Sequence, residues 1–234
     1  MRRFSLYLFD IDGTLLDSAP DIAGAILEVL AGTPCRDLKP SALRKYVGTP
    51  LHEIFADLLP GLPEGECQRL IDAYRKVYPA RRHRLTRVYP GVPEALAALE
   101  GRKSTATTKQ TWMARGVLEH FGLLEYFDHV QGTDGFAYKP APDVVLASLA
   151  ALGARPEECL LVGDAPSDME AGRRAGVSIC AVRYGYGAPS DLARFTPDYW
   201  RVGARLLCRP RDDPGSPLAE PAVQRDPLRQ RTWG

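Results

Sequence analysis

Two carboxylates stand two residues apart in Phe9-Asp10-Ile11-Asp12-Gly13-Thr14, at the end of an apolar run that begins at Leu6. Asp-Gly is a common turn pair, and in a solvated turn both acids would be inert. The apolar run instead sets Asp10 at the edge of a buried sheet, where an uncompensated charge is costly. A metal ion together with a phosphate group would offset that cost. Chemically, one carboxylate can attack phosphorus to form an aspartyl-phosphate while a second acid protonates the departing oxygen.

A similar arrangement returns in Leu160-Leu161-Val162-Gly163-Asp164-Ala165-Pro166-Ser167-Asp168, where an apolar strand ends in aspartates four apart. Ser167 and Glu170 could form a capping box, which would leave Asp168 as an ordinary first-turn acid. As ligands, such carboxylates together with a carbonyl and waters suit Mg²⁺. Thr107 and Thr108 close a strand and precede a helix, a position where hydroxyls and backbone N–H groups can hold phosphate oxygens. Lys139, in Tyr138-Lys139-Pro140-Ala141-Pro142-Asp143, is kept near a helix start by two prolines. A loop lysine is ordinarily solvated, but here it could neutralise both a nucleophile and an incoming phosphate.

These side chains need strand ends and helix starts to hold them. The pattern reads as strand over 6–11, then a helix opened by Pro20-Asp21 with apolar positions Ile22, Ile26, Val29 and Leu30. Residues 41–82 are helical only, in segments 41–47, 50–59 and 64–78 separated by Gly48 and by Pro60-Gly61-Leu62-Pro63. From Tyr89 the rhythm alternates: helix 92–99, strand 103–107, helix 110–121, a weak strand 129–132, helix 142–152, strand 159–162, helix 168–175 and strand 178–182. Alternation of this kind predicts an α/β fold with a parallel sheet covered by helices on both faces. Ligands in such sheets bind beyond the carboxyl ends of the strands.

The 234 residues suffice for one substantial core and a smaller accessory domain. A formal net charge of +1 gives no basic field for nucleic acid, so any anion must be handled locally. The five cysteines, Cys35, Cys67, Cys159, Cys180 and Cys208, are scattered without metal-site spacing, which points to a reducing compartment. Asp10 and Asp12 interrupt the N-terminal apolar run too early for a signal peptide, and no segment has membrane length, so a cytoplasmic protein is expected. The last thirty residues, with six arginines and five prolines, read as a poorly packed tail.

Taken in order and spacing, the four segments resemble the signature motifs of the haloacid dehalogenase-like phosphohydrolase superfamily, over residues 4–182. The resemblance implies a Rossmann-like core, residues 1–16 and 87–207, with Asp10 as nucleophile and Asp12 as general acid and base. It implies Thr107 and Lys139 as phosphate binders, joined by the backbone of Thr108, where relatives often carry asparagine. Mg²⁺ would be held by Asp10, the main-chain carbonyl of Asp12, and Asp164, with Asp168 a further ligand or, through water and Lys139, in the outer shell. Residues 17–86 resemble the helical C1 cap of the phosphoglycolate phosphatase-like branch, with 208–234 as a tail. The implied activity is hydrolysis of a small phosphorylated metabolite resembling 2-phosphoglycolate by a monomer or homodimer, without nucleic-acid or membrane partners. Arg44, Lys45, His52, Arg81 and Arg82 are candidates for setting specificity. A sugar phosphomutase of the same fold and a non-catalytic regulatory relative are the alternatives. Thr14 leans towards hydrolysis, and the intact acidic set speaks against loss of activity.

Overall fold

A computed structural model describes residues 3–204; the tail reading of 208–234, the core's last three residues and Cys208 lie outside them. The chain forms β1 (Leu6–Phe9), β2 (Leu16–Asp17), α1 (Ala19–Val29), α2 (Pro40–Leu43), α3 (Leu51–Leu58) and α4 (Glu64–Ala80). It continues through β3 (Arg87–Val88), α5 (Val92–Ala98), β4 (Arg102–Thr105), α6 (Thr111–His120) and α7 (Asp143–Ala151). The last elements are β5 (Cys159–Gly163), α8 (Pro166–Ala175), β6 (Ser178–Val182), α9 (Pro189–Ala193) and β7 (Tyr199–Arg201). Among the described residues no helix is long and apolar enough to cross a membrane.

Five strands pair in the order β4-β1-β5-β6-β7, every neighbour parallel. Strand periodicity assigns the faces: Tyr7 and Phe9 enter one core with α5 and α6, whereas Leu6 and Leu8 enter the opposite core with α7 and α8. Burial on both faces explains why β1 and β5 read as continuous apolar runs rather than alternating ones. The segments that follow β1, β4 and β5 therefore emerge side by side at one edge of the sheet.

Between β1 and α5 the chain leaves the sheet. Helices α1, α3 and α4 pack around a third core that includes Ile22, Ile26, Phe55, Ile71, Tyr74 and Tyr78, and α6 adds Met113 to it. The chain departs through β2 and returns through β3, which pair antiparallel with Leu16 opposite Val88 and Asp17 opposite Arg87.

Two sequence expectations are corrected. Residues 129–132 form no strand: Asp128 and His129 both donate to the Lys103 carbonyl, and Gln131 exchanges hydrogen bonds with the Thr105 hydroxyl instead of a ladder partner. The helix expected from residue 168 begins at Pro166. Proline there needs no N–H partner at the first helical position. It places Asp168 in the first turn, where its carboxylate accepts the Ala165 N–H at 2.9 Å. The Ser167–Glu170 capping box does not form, and Glu170 pairs with Arg174.

Candidate active site

Parallel strands deliver the acids to one place. β1 ends at Phe9 and β5 at Gly163, and their register, with Phe9 opposite Val162, puts Asp10 and Asp164 on adjacent strand ends. Asp168 reaches the same point from the first turn of α8. Asp10, Asp164 and Asp168 are all buried, and each offers a carboxylate oxygen within 4.8 Å of the others. Gly13 turns the chain away at φ +89°, and a Cβ there would lie 2.2 Å from Asp164 Oδ2.

Lys139 supplies the cation. Its Nζ donates to Asp10 Oδ1 at 2.8 Å, to Asp168 Oδ1 at 2.5 Å and to the Ala106 carbonyl at 2.9 Å. Burial opposes its charge, but Asp10 and Asp168 outweigh that and hold the ammonium above its ordinary range. Burial pushes the Asp10 carboxyl up to about 7 against the pull of Lys139, with Asp168 and Asp12 adding to the rise. Asp164 is pushed up to about 8, first by burial and then by Asp168 and Asp10.

Asp12 stands apart from the three-carboxylate cluster. Its Oδ2 accepts from Lys109 Nζ at 2.6 Å and its Oδ1 from the Ser18 hydroxyl at 2.5 Å. Lys109 is buried in this pair and lies against the Tyr78 ring, 4.8 Å from its centroid. Burial works against the Lys109 charge, yet Asp12 and Tyr74 keep its ammonium raised. Four carboxylates thus face two ammoniums, an excess of two negative charges when all are ionised. A hard divalent cation bound by carboxylate oxygens fits that excess.

The two threonines divide their work. Thr107 is buried, and its hydroxyl accepts the Lys109 N–H at 3.3 Å. The Thr108 hydroxyl points to the helical insert and donates to the Gly48 carbonyl at 3.1 Å. Of the specificity candidates, only His52 lines the cavity of about 90 Å³ beside Asp12. Lys45 pairs with Asp57, Arg81 with Asp21 and Glu28, Arg44 lies over the Tyr186 ring, and Arg82 lines a separate cavity beside His83.

Several site contacts escaped the sequence reading. Thr14 donates to Asp164 Oδ1 at 3.0 Å, and the Tyr186 N–H donates to Asp164 Oδ2 at 2.7 Å. The Tyr186 hydroxyl accepts the N–H groups of Ser18 and Ala19 at 2.7 and 2.9 Å and donates to Asp17 at 2.8 Å. The Tyr184-Gly185-Tyr186-Gly187 repeat was the available signal, and Gly187 is required because a Cβ would meet the Asp164 carbonyl at 2.0 Å. Lys109 carried a weaker hint, a lysine directly behind the two hydroxyls.

Comparison with known proteins matches residues 7–182 to the haloacid dehalogenase-like hydrolase family. A phosphoglycolate phosphatase of Aquifex aeolicus is 34% identical over 208 residues, covering 82% of this chain and 96% of that protein. A 5'-nucleotidase of Pseudomonas aeruginosa is 29% identical over 202 residues, covering 85% and 91%. The crystal structure of a predicted phosphatase from Clostridium acetobutylicum superposes with a TM-score of 0.80 at 28% identity, covering 88% of this chain and 97% of that one.

Proposed function

The chain belongs to the haloacid dehalogenase-like hydrolases, and on that premise we propose that it hydrolyses a small phosphate monoester through an aspartyl-phosphate on Asp10. The observation that carries this reading is a buried carboxylate, Asp10, held at 2.8 Å by Lys139 inside an acidic cluster, with Asp12 two residues on and outside the cluster. Relatives named phosphoglycolate phosphatase make 2-phosphoglycolate the first substrate to try.

In this reading Asp10 attacks phosphorus in line while Lys139 neutralises charge on the nucleophile and the phosphoryl oxygens. Asp12 gives its proton to the leaving oxygen, then takes one from the water that cleaves the acyl phosphate. Lys109 and Ser18 fix the orientation of the Asp12 carboxylate. The Thr107 hydroxyl, Lys139 and the Thr108 backbone N–H bind the phosphate. Mg²⁺, held by Asp10, the Asp12 carbonyl, Asp164 and Asp168, would supply further charge neutralisation and orientation. Residues 17–86 act as a cap over a cytoplasmic enzyme's core and exclude bulk water.

Asp10→Asn tests the assignment. It should abolish phosphate release from a monoester panel while circular dichroism and Mg²⁺-dependent phosphate binding persist. Near wild-type turnover in that variant would remove Asp10 as nucleophile. Hexose 1-phosphate with its bisphosphate tests the mutase alternative, since a mutase releases little free phosphate.

A further inference from the structure

We propose that the leaving group this site is shaped to release is a compact uncharged hydrocarbon, a short branched chain smaller than a benzene ring. The inference rests on the phosphatase reading above and concerns only the alcohol side of the ester. The cavity of about 90 Å³ adjoins Asp12, Thr108 and Lys109 and is not lined by Asp10, Asp164, Asp168 or Lys139. If Asp12 protonates the leaving oxygen, the space beside it receives the body of the leaving group.

The lining is apolar on its inner side. Ile22 from α1, Ile54 from α3, Ile71 and Tyr74 from α4 and Met113 from α6 all line it, and all five are buried. The cations that border the space already have partners. Lys109 is bound to Asp12 at 2.6 Å, with both side chains buried. Arg75 reaches Asp72 at 3.3 Å, and His52 lies on the exposed rim, 3.8 Å from Glu53 and against the Tyr138 ring.

Arg75 and His52 lie on the more exposed side of the space, so against the buried isoleucine wall a leaving-group carboxylate would have to draw Lys109 away from Asp12 or enter without a counter-ion. Either leaves a buried charge uncompensated. A hydrocarbon breaks no ion pair and gains by leaving water. Size sets the upper limit: an apolar cavity of roughly 150 Å³ accommodates benzene and this one is smaller, so a benzyl ester should fall below the 2-methylpropyl ester. 2-Phosphoglycolate would then undergo the same chemistry slowly.

The test is kcat/KM for ethyl, 2-methylpropyl and benzyl phosphate and for 2-phosphoglycolate, measured by phosphate release with the full chain and Mg²⁺. Each buried methylene should raise kcat/KM about fourfold. The 2-methylpropyl ester should therefore exceed the ethyl ester by about fifteenfold and also exceed 2-phosphoglycolate. Ile71→Val and Ile54→Val, which trim the wall by one methyl each, should lower the 2-methylpropyl-to-ethyl ratio in the same preparations. Active hydrolysis with a flat alkyl series, an unchanged ratio in both variants, or 2-phosphoglycolate ahead of every alkyl ester overturns the inference and leaves the phosphatase reading standing. Folded protein that releases phosphate from none of the four but from another monoester of the panel overturns the inference alone, and release from no monoester overturns both.

Discussion

Asp10 and Asp164 combine burial with crowding, and their protonation couples folding to pH and would couple it to a bound cation. Unfolded, each carboxyl titrates near pH ~4; folded, burial and neighbouring acids raise them to about 7 and about 8. Between those limits the native state binds more protons than the unfolded one, so their contribution to stability falls as pH rises. A cation held by the ionised set would oppose that loss, so its stabilising effect should grow through the same window. Thermal melts with and without Mg²⁺ should show a small rise in Tm at pH 5.5 and a larger one at pH 8.5. Asp164→Asn should remove most of the rise at the higher pH. A Mg²⁺ increment independent of pH, or one that survives in Asp164→Asn, would refute this account of the cluster.

One loop after β6 connects the acids to the start of α1. The Tyr186 backbone holds Asp164, while its hydroxyl accepts two N–H groups at the entrance of α1, beside the Ser18 that holds Asp12. Tyr186→Phe keeps the backbone contact and removes the cap, which should cost about 0.5–2 kcal/mol of stability, the usual range for losing an N-cap. We expect kcat to fall severalfold with the Mg²⁺ activation constant nearly unchanged, because Asp164 keeps its donors. A large shift in that constant with kcat intact would assign the loop to the metal alone. The Tyr184-Gly185-Tyr186-Gly187 repeat marks the loop, but its contacts were not legible in the sequence, since the partners lie far apart and share no periodicity. The strand ends carrying Asp10 and Asp164 were legible, because β1 and β5 are buried on both faces and so read as apolar runs. β7 was not, since Tyr199, Trp200 and Arg201 are only half-buried and form no such run. Residues 129–132 misled because they lie along β4 through side-chain hydrogen bonds rather than a ladder.

At the scale of the whole molecule, the helical insert packs around a core to which α6 adds Met113, and the chain passes between insert and sheet through β2 and β3. The sequence showed the insert as an all-helical stretch; the clamp that fixes its base depends on contacts some sixty residues apart and was not readable. Asp21, buried on α1, accepts the N–H groups of Leu85 and Thr86 at 2.9 and 2.8 Å and the Thr86 hydroxyl at 2.8 Å. Arg81 approaches its other oxygen at 3.5 Å. The outgoing and returning segments are therefore tied by one carboxylate. Asp21→Ala would strand those donors, and each buried unsatisfied group costs about 1–3 kcal/mol. The weakening should fall first on the returning segment, which carries Arg81, Arg82, Arg84 and Arg87 and is thus open to trypsin once released. Limited trypsin digestion should nick Asp21→Ala within residues 81–87 under conditions that leave the wild type intact, while Thr86→Ser, which keeps the hydroxyl, should behave as wild type. Simultaneous loss of the whole chain, with no early cut in that segment, would mean that Asp21 stabilises the molecule globally rather than clamping the base of the insert.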